Sequence, residues 1–410
     1  MTSINATPSD PKPKAVFHAS TPSAPILIYL PPGPVVPDSS EEQGRVISTL
    51  RASSDATVVR INYRASAEHQ YPTPYHDALF GYDWISENLL RDEFKRPHLA
   101  RLGVCGELVG GSIATMLALT ECRNKESRIA AAAVNNPIAD WVFHDDLPLV
   151  HPSELPEPAS PDETSFPADE DPGDPTSPPE KTKPVSKAGQ PRKKRAPKLP
   201  PPTAWQLHGD NEVLPTSKLS VERNFLFRGP EDFFDRFASP IHFFRSPRAQ
   251  LIYPPSDDVS ASEQPDDQLD MEAQMLLGHY TPFKSKAKAS TELPVLSRCR
   301  AYIRSYPPAG VNLSLPVWNI TAGTDSPLAD QTSELAKMLR RSVARHTLKA
   351  RARRVRWLDP AEKAQYEEMA LERVHLDLTP GIGLWTQQDD DLSWKSQVEG
   401  MGAWLKHSLK

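Results

Sequence analysis

Side chains able to do chemistry are sparse wherever this chain could present them. Cys105, Cys122 and Cys299 are too few and too scattered for a disulfide framework or a zinc site. Cys105 sits inside an apolar run, where a thiol reads as core. A glycine-bounded turn, Gly106-Glu107-Leu108-Val109-Gly110-Gly111, links that run (100–105) to a small-residue helical run (110–119). Such a turn directs its middle side chain toward a helix N-terminus, where negative charge is stabilised. Leu108 stands there, and leucine has neither a nucleophile nor a protonatable group. Ser112, about one helical turn further on, offers the nearest hydroxyl. Asp325 follows a late apolar strand, and by itself an aspartate there reads as a helix cap.

These positions need a scaffold, and the hydrophobic pattern predicts one. Residues 26–30, 56–63, 100–105 and 129–134 are apolar runs of strand length, several apolar on both faces, as buried parallel strands are. Helical patterns separate them: 41–51, a long amphipathic segment carrying Ala78, Leu79, Tyr82, Trp84, Ile85 and Leu89, and 110–119. The later pattern predicts a strand at 315–321, helices at 328–341 and 361–373, a further strand at 353–358, and a terminal helix at 394–409. Strands alternating with helices imply an α/β fold, with a mostly parallel sheet wrapped by helices.

Proline disturbs this rhythm. The 410 residues include 44 prolines, about twice the usual ~5% share, concentrated in a few stretches. Residues 151–202 are Pro, Glu, Asp, Ser and Lys with almost no large apolar side chain, so they are expected to form a disordered insertion. The expected organisation is a flexible tail (1–23), the first part of the core (24–150), that insertion (151–202), a cap-like region with a flexible loop (203–310), and the rest of the core (311–410). A net charge of −6 gives no footprint for nucleic acid. No apolar stretch reaches the ~18–20 residues that span a bilayer, and no signal peptide is evident. No metal or cofactor is expected. The expected location is cytoplasmic, with the basic run 192–198 leaving the nucleus open.

Three segments carry a resemblance. Asn62-Tyr63-Arg64-Ala65-Ser66-Ala67-Glu68-His69-Gln70-Tyr71-Pro72 followed by His76-Asp77-Ala78 is similar to a D-Y-R-L-A-P-E-H-x-F-P…D-A stretch. The turn at 106–111 occupies the place of G-D-S-A-G-G, and Ala238-Ser239-Pro240-Ile241 is similar to A-S-P-L. Together they resemble the hormone-sensitive-lipase-like branch of the α/β-hydrolase superfamily of serine esterases, over 26–140 and less tightly over 232–241 and 315–405.

The resemblance implies roles position by position. Leu108 falls where the nucleophilic serine belongs, a loss that typically removes about a 10⁶ factor in rate. Asp325, within Thr321-Ala322-Gly323-Thr324-Asp325-Ser326-Pro327-Leu328, matches the acid. Pro380, before Gly381-Ile382, falls on the histidine position, with His375 the alternative if the register is shifted. The H-G-G-G oxyanion segment is replaced by Pro31-Pro32-Gly33-Pro34, leaving Gly33 and Val109 as the backbone donors of that region. The expectation is a catalytically silent homologue with a pocket beneath the cap, made more apolar by Leu108, that binds a small apolar or ester-like ligand or a protein partner. An esterase using Ser112 as an atypical nucleophile is the alternative. A scaffold recruiting a protein partner through the proline-rich insertion is a third reading.

Overall fold

Strand β2 (Ile26–Leu30) is buried along its whole length, and its side chains divide between two cores. Ile26, Ile28 and Leu30 enter one cluster, Leu27 and Tyr29 the other, as the two-residue period of a strand covered on both faces requires. A computed structural model describes residues 14–18, 25–35, 40–90, 101–123, 128–147, 156, 166–167, 202–252, 295–308, 311, 313–353, 357–386 and 393–410. Around β2, the strands β1 (Lys14–His18), β3 (Thr57–Asn62), β4 (Leu102–Glu107), β5 (Ile129–Asn135), β10 (Val317–Gly323) and β11 (Val374–Thr379) form a seven-stranded sheet. Its order is β1-β3-β2-β4-β5-β10-β11. Only the β1–β3 pair runs antiparallel. Two short antiparallel ladders stand apart, β6 (Phe166–Pro167) with β9 (Tyr302–Ile303) and β7 (Ala249–Ile252) with β8 (Val295–Arg298).

Helices cover both faces. On one, α1 (Ser40–Ser54) packs against the C-terminal helix Ser393–Ser408 over Leu27, Tyr29, Val58 and Ala131. On the other lie α2 (Thr73–Asn88), α3 (Leu108–Thr120) and the helix Ala329–Ala352. Every residue of α3 from Leu108 to Leu119 is buried. A helix apolar all round must be covered on both sides, and the segment 203–252 helps to cover it. That segment contains α4 (Ala204–Leu207), α5 (Thr216–Leu226), α6 (Pro230–Phe234) and a 3₁₀ turn at Pro240–Phe243. Numbered onward, Ala329–Ala352 is α7, Pro360–Arg373 is α8 and Ser393–Ser408 is α9.

Several expectations shift. Lys14–His18, within the expected tail, adds an antiparallel edge strand by pairing with β3. The strand expected at 353–358 is absent from its described residues: Arg353 ends α7 in the left-handed region (φ 54°), and Leu358 and Asp359 lead into α8. The edge strand is β11 instead, placed after α8, where half-exposed alternation in Val374–Thr379 suits a sheet edge better than a core. α7 also runs eleven residues past its expected end at 341. Of the expected insertion 151–202, only residues 156, 166–167 and 202 are described. The basic run and the loop expected at 254–270 lie outside the described residues. Among the described residues, no helix is long and apolar enough to cross a membrane.

Candidate functional site

The turn between β4 and α3 is closed by backbone contacts that only glycine permits. A Cβ on Gly106 would lie 2.4 Å from the Gly110 carbonyl oxygen. One on Gly110 would lie 2.1 Å from the Pro31 oxygen and 2.3 Å from the Leu30 oxygen. The start of α3 is therefore pressed onto the end of β2. Leu108 occupies the centre of the turn with φ 52°, a left-handed conformation that strains a branched side chain, and it is wholly buried.

The two backbone donors expected to line an oxyanion region meet here, and one of them is taken. The Val109 N–H donates to the Pro32 carbonyl at 3.3 Å. Gly33, with φ 82°, lies against Val109 so closely that a Cβ on it would be 2.9 Å from the Val109 Cβ. Tyr63 fixes the loop from the other side, its hydroxyl donating to the Pro31 carbonyl at 2.7 Å. Ser112 is buried, and its hydroxyl donates to the Ala238 carbonyl at 3.2 Å, which the Tyr75 hydroxyl also reaches. It points into the packing of the covering segment and not into the turn.

Asp325 and Pro380 come together at the C-terminal edge of the sheet. The Asp325 N–H donates to the Gly381 carbonyl at 2.9 Å, and the Thr324 N–H to the Thr379 carbonyl at 2.8 Å. Both Asp325 and Pro380 are exposed. His375 is not with them. It pairs with Asn319, four residues before the Gly323–Thr379 end of that ladder, about 13 Å down the sheet at strand rise. Its ring lies against Trp404 of α9. The alternative register for His375 therefore finds no geometric support.

Sequence reasoning missed the residues that hold the loop 380–386. Glu107 is fully buried at the end of β4. One carboxylate oxygen accepts from Asn135 Nδ2 (2.8 Å) and the Trp385 N–H (2.5 Å), and the other accepts from the Thr386 hydroxyl (2.8 Å). Asn135 Nδ2 also donates to the Gly383 carbonyl at 2.7 Å, and Asn136 Nδ2 to the Ile382 carbonyl at 3.1 Å. Burial pushes the Glu107 carboxyl up to about 7, against the pull of those hydrogen bonds toward the ionised form. The signal was available in Asn135-Asn136, two polar residues closing an otherwise apolar strand.

A second buried polar cluster lies beneath the covering segment. Asp140 and Arg245, both nearly inaccessible, pair at 2.8 Å, and Arg245 continues to Glu334 at 2.9 Å. Arg248 joins Glu334 at 2.8 Å, and His242 Nε2 lies 3.4 Å from Asp140. Despite burial, the neighbouring cations hold the Asp140 carboxyl well below the usual carboxylate range. Each charge is compensated, so the cluster ties the covering segment to α7.

Cavities lie between α7 and the loop 303–308, beside Asp140 and Glu334, and along α7 against Trp357, and Leu108, Ser112, Asp325 and Pro380 line none of these. The pocket expected beneath the cap with Leu108 in its wall is thus not among them. The nearest in character lies between α7 and the loop 303–308.

Residues 27–161 match a family model described as the alpha/beta hydrolase fold. The chain is 30% identical over 95 residues to esterase LipI of Mycobacterium tuberculosis, covering 23% of this chain and 29% of that protein. It is 33% identical over 92 residues to an ethyl acetate hydrolase of Pseudomonas putida, covering 22% of this chain and 28% of the relative. The matched stretch thus spans under a third of either curated relative. Among solved structures, carboxyl esterase 2 of the mycorrhizal fungus Tuber melanosporum superposes with TM-score 0.53 at 12% identity, covering 100% of this chain and 85% of that one. The carboxylesterase EstE1, cloned from a metagenomic library, gives 0.52 at 13% identity, covering 100% and 89%. The chain has the α/β-hydrolase fold, and residues 27–161 carry its similarity to the hormone-sensitive-lipase-like branch of that superfamily.

Proposed function

We propose that this protein is a non-hydrolytic member of its branch that acts by binding a small, largely apolar ligand. The observation that carries the reading is the closed turn: a fully buried Leu108 where a nucleophile belongs, above a Val109 N–H donated to Pro32. Acyl transfer needs an attacking atom, a base and free donors aimed at the developing oxyanion. In this turn the attacking atom is a methyl group and the helix N-terminal donor is engaged. Beside Asp325, the position of the base holds Pro380. Repairing one of these leaves the other two in place.

The alternative, an esterase working through Ser112, is disfavoured by the burial of that hydroxyl and its bond to Ala238. A fluorophosphonate probe separates the readings, because it labels an activated serine and ignores an inert one. The protein is expected to remain unlabelled, as intact-mass spectrometry would show. A stoichiometric adduct that disappears in Ser112→Ala would overturn the proposal in favour of the enzyme.

A further inference from the structure

Helix α7 and the short stretch after it carry an unusual charge distribution. Between Lys337 and Arg356 the sequence has nine Lys and Arg and not one Asp or Glu, in a chain whose net charge is −6. Cations near a helix C-terminus are ordinarily explained by the helix dipole, but that effect is confined to the last turn. Arg341 and Arg345 lie two to three turns earlier. The two acids at the start of α7 are engaged elsewhere, Asp330 with the Ala204 N–H and Glu334 with Arg245 and Arg248.

This basic stretch borders a cavity. Its volume is about 600 Å³, within the range of small-molecule sites. Phe244, Ile303, Tyr306 and Met338 supply apolar wall, while Arg304, Arg341, Arg345 and Lys349 supply positive charge, and no acid is among the described residues that line it. The wall is built on fixed parts. The Tyr306 hydroxyl donates to the Leu119 carbonyl at the end of α3, the Ser342 hydroxyl donates to the Tyr306 carbonyl, and the rings of Phe243 and Phe244 meet Tyr306 edge-on at 5.0 and 5.5 Å. His346 is held below its ordinary value, first by burial and then by the positive charges of Arg373 and Lys349. Arg341 and Arg345 also have interactions of their own within the chain, so a ligand would share them and not find them bare.

We propose that this cavity, away from the β4–α3 turn, is the binding site for an anionic amphiphile, a molecule with one carboxylate or phosphate head and an apolar chain or ring body. The proposal deepens the ligand-binding reading above and rests on it. The apolar wall takes the body, and the Arg345–Lys349 side takes the head. A neutral molecule of the same shape would leave the cationic rim without its counterion, and a bare anion would leave the apolar wall wet.

Calorimetry on the full chain tests this with four probes kept below their aggregation concentrations: decanoate, decyl phosphate, decanol and inorganic phosphate. Decanoate and decyl phosphate are expected to bind, decanol at least tenfold more weakly, and inorganic phosphate not measurably. Which of the two heads binds tighter distinguishes a fatty carboxylate from a phosphate monoester as the natural class. Lys349→Gln and Arg345→Gln should each weaken decanoate by several-fold, and Ser305→Trp, at an exposed lining position, should block it, with the unliganded melting temperatures of the Lys349 and Ser305 variants unchanged. Equal affinity for decanol and decanoate, no binding by either anionic amphiphile, or binding indifferent to all three variants would overturn the site. Ester turnover by the same preparation would overturn the silent-turn reading while leaving this measurement intact, so the two failures are distinguishable.

Discussion

Glu107 offers a test of how the loop 380–386 is held, because a buried carboxyl near neutrality makes stability depend on pH. Its side chain is fully buried and pushed from 4.5 up to about 7, first by desolvation, with the bonds from Thr386, Trp385 and Asn135 opposing. The folded value lies above the unfolded one, so the folded state holds the proton more tightly. Stability contributed by the neutral form is intact below about pH 4.5, declines as pH rises through the window to about 7, and is lost above it. A shift of this size corresponds to about 3 kcal/mol between the two ends of the window. Glu107→Gln keeps the shape, leaves a carbonyl to accept from Trp385 and Asn135, and lets the amide donate to the Thr386 hydroxyl oxygen. Other groups also contribute to the pH dependence of stability, so the informative quantity is the difference between natural protein and variant. Urea unfolding at about pH 5 and about pH 8 should show the two nearly equal in acid and the glutamine form more stable in base, by up to about 3 kcal/mol. A difference independent of pH would refute the reasoning. It would mean that the three hydrogen bonds outweigh desolvation and that Glu107 is an ordinary ionised carboxylate.

Other perturbations probe the same packing. Leu108→Ala should destabilise by about 2–5 kcal/mol in chemical denaturation, because the side chain is wholly buried; a loss well under 1 kcal/mol would mean that the turn is loosely filled. Gly110→Ala places a Cβ against two backbone oxygens that cannot swing away, so a loss of about 3 kcal/mol or more in the same assay is expected, and a neutral result would contradict the close approach of β2. Asp140→Asn leaves Arg245 without its inner partner and should cost about 3–5 kcal/mol. Arg248→Gln, at the partly exposed end of the same chain of charges, should cost about 1 kcal/mol or less, and similar losses at both positions would argue against a buried network.

The parallel core was legible because its strands are covered on both faces and so read as unbroken apolar runs: β2, β4 and β5 all lie where the pattern put them. The edges were not. β1 lies in polar, proline-bearing sequence, and β11, Val374–Thr379, alternates with charged residues and is half-exposed, so neither has the signature of a buried strand. The turn was legible in its glycines, since Gly106 and Gly110 admit no side chain. The engagement of the Val109 N–H by Pro32 was not, because it depends on where two loops distant in sequence come to rest. Glu107 looked like a neighbour of the interesting position; its three partners lie 28 to 279 residues away. The basic lining of α7 was present in the sequence all along, but only the loop 303–308 turns it into a cavity.

The proposal that the turn between β4 and α3 does not support ester cleavage is tested most directly by p-nitrophenyl butyrate hydrolysis with purified protein, run beside Leu108→Ser and Ser112→Ala. The natural protein and Leu108→Ser are both expected to stay at the uncatalysed rate. A serine restored at position 108 would still face an engaged Val109 N–H and, on the proposed reading, Pro380 at the position of the base. Turnover by the natural protein that Ser112→Ala abolishes would contradict this, and so would a Leu108→Ser variant that hydrolyses the ester on its own.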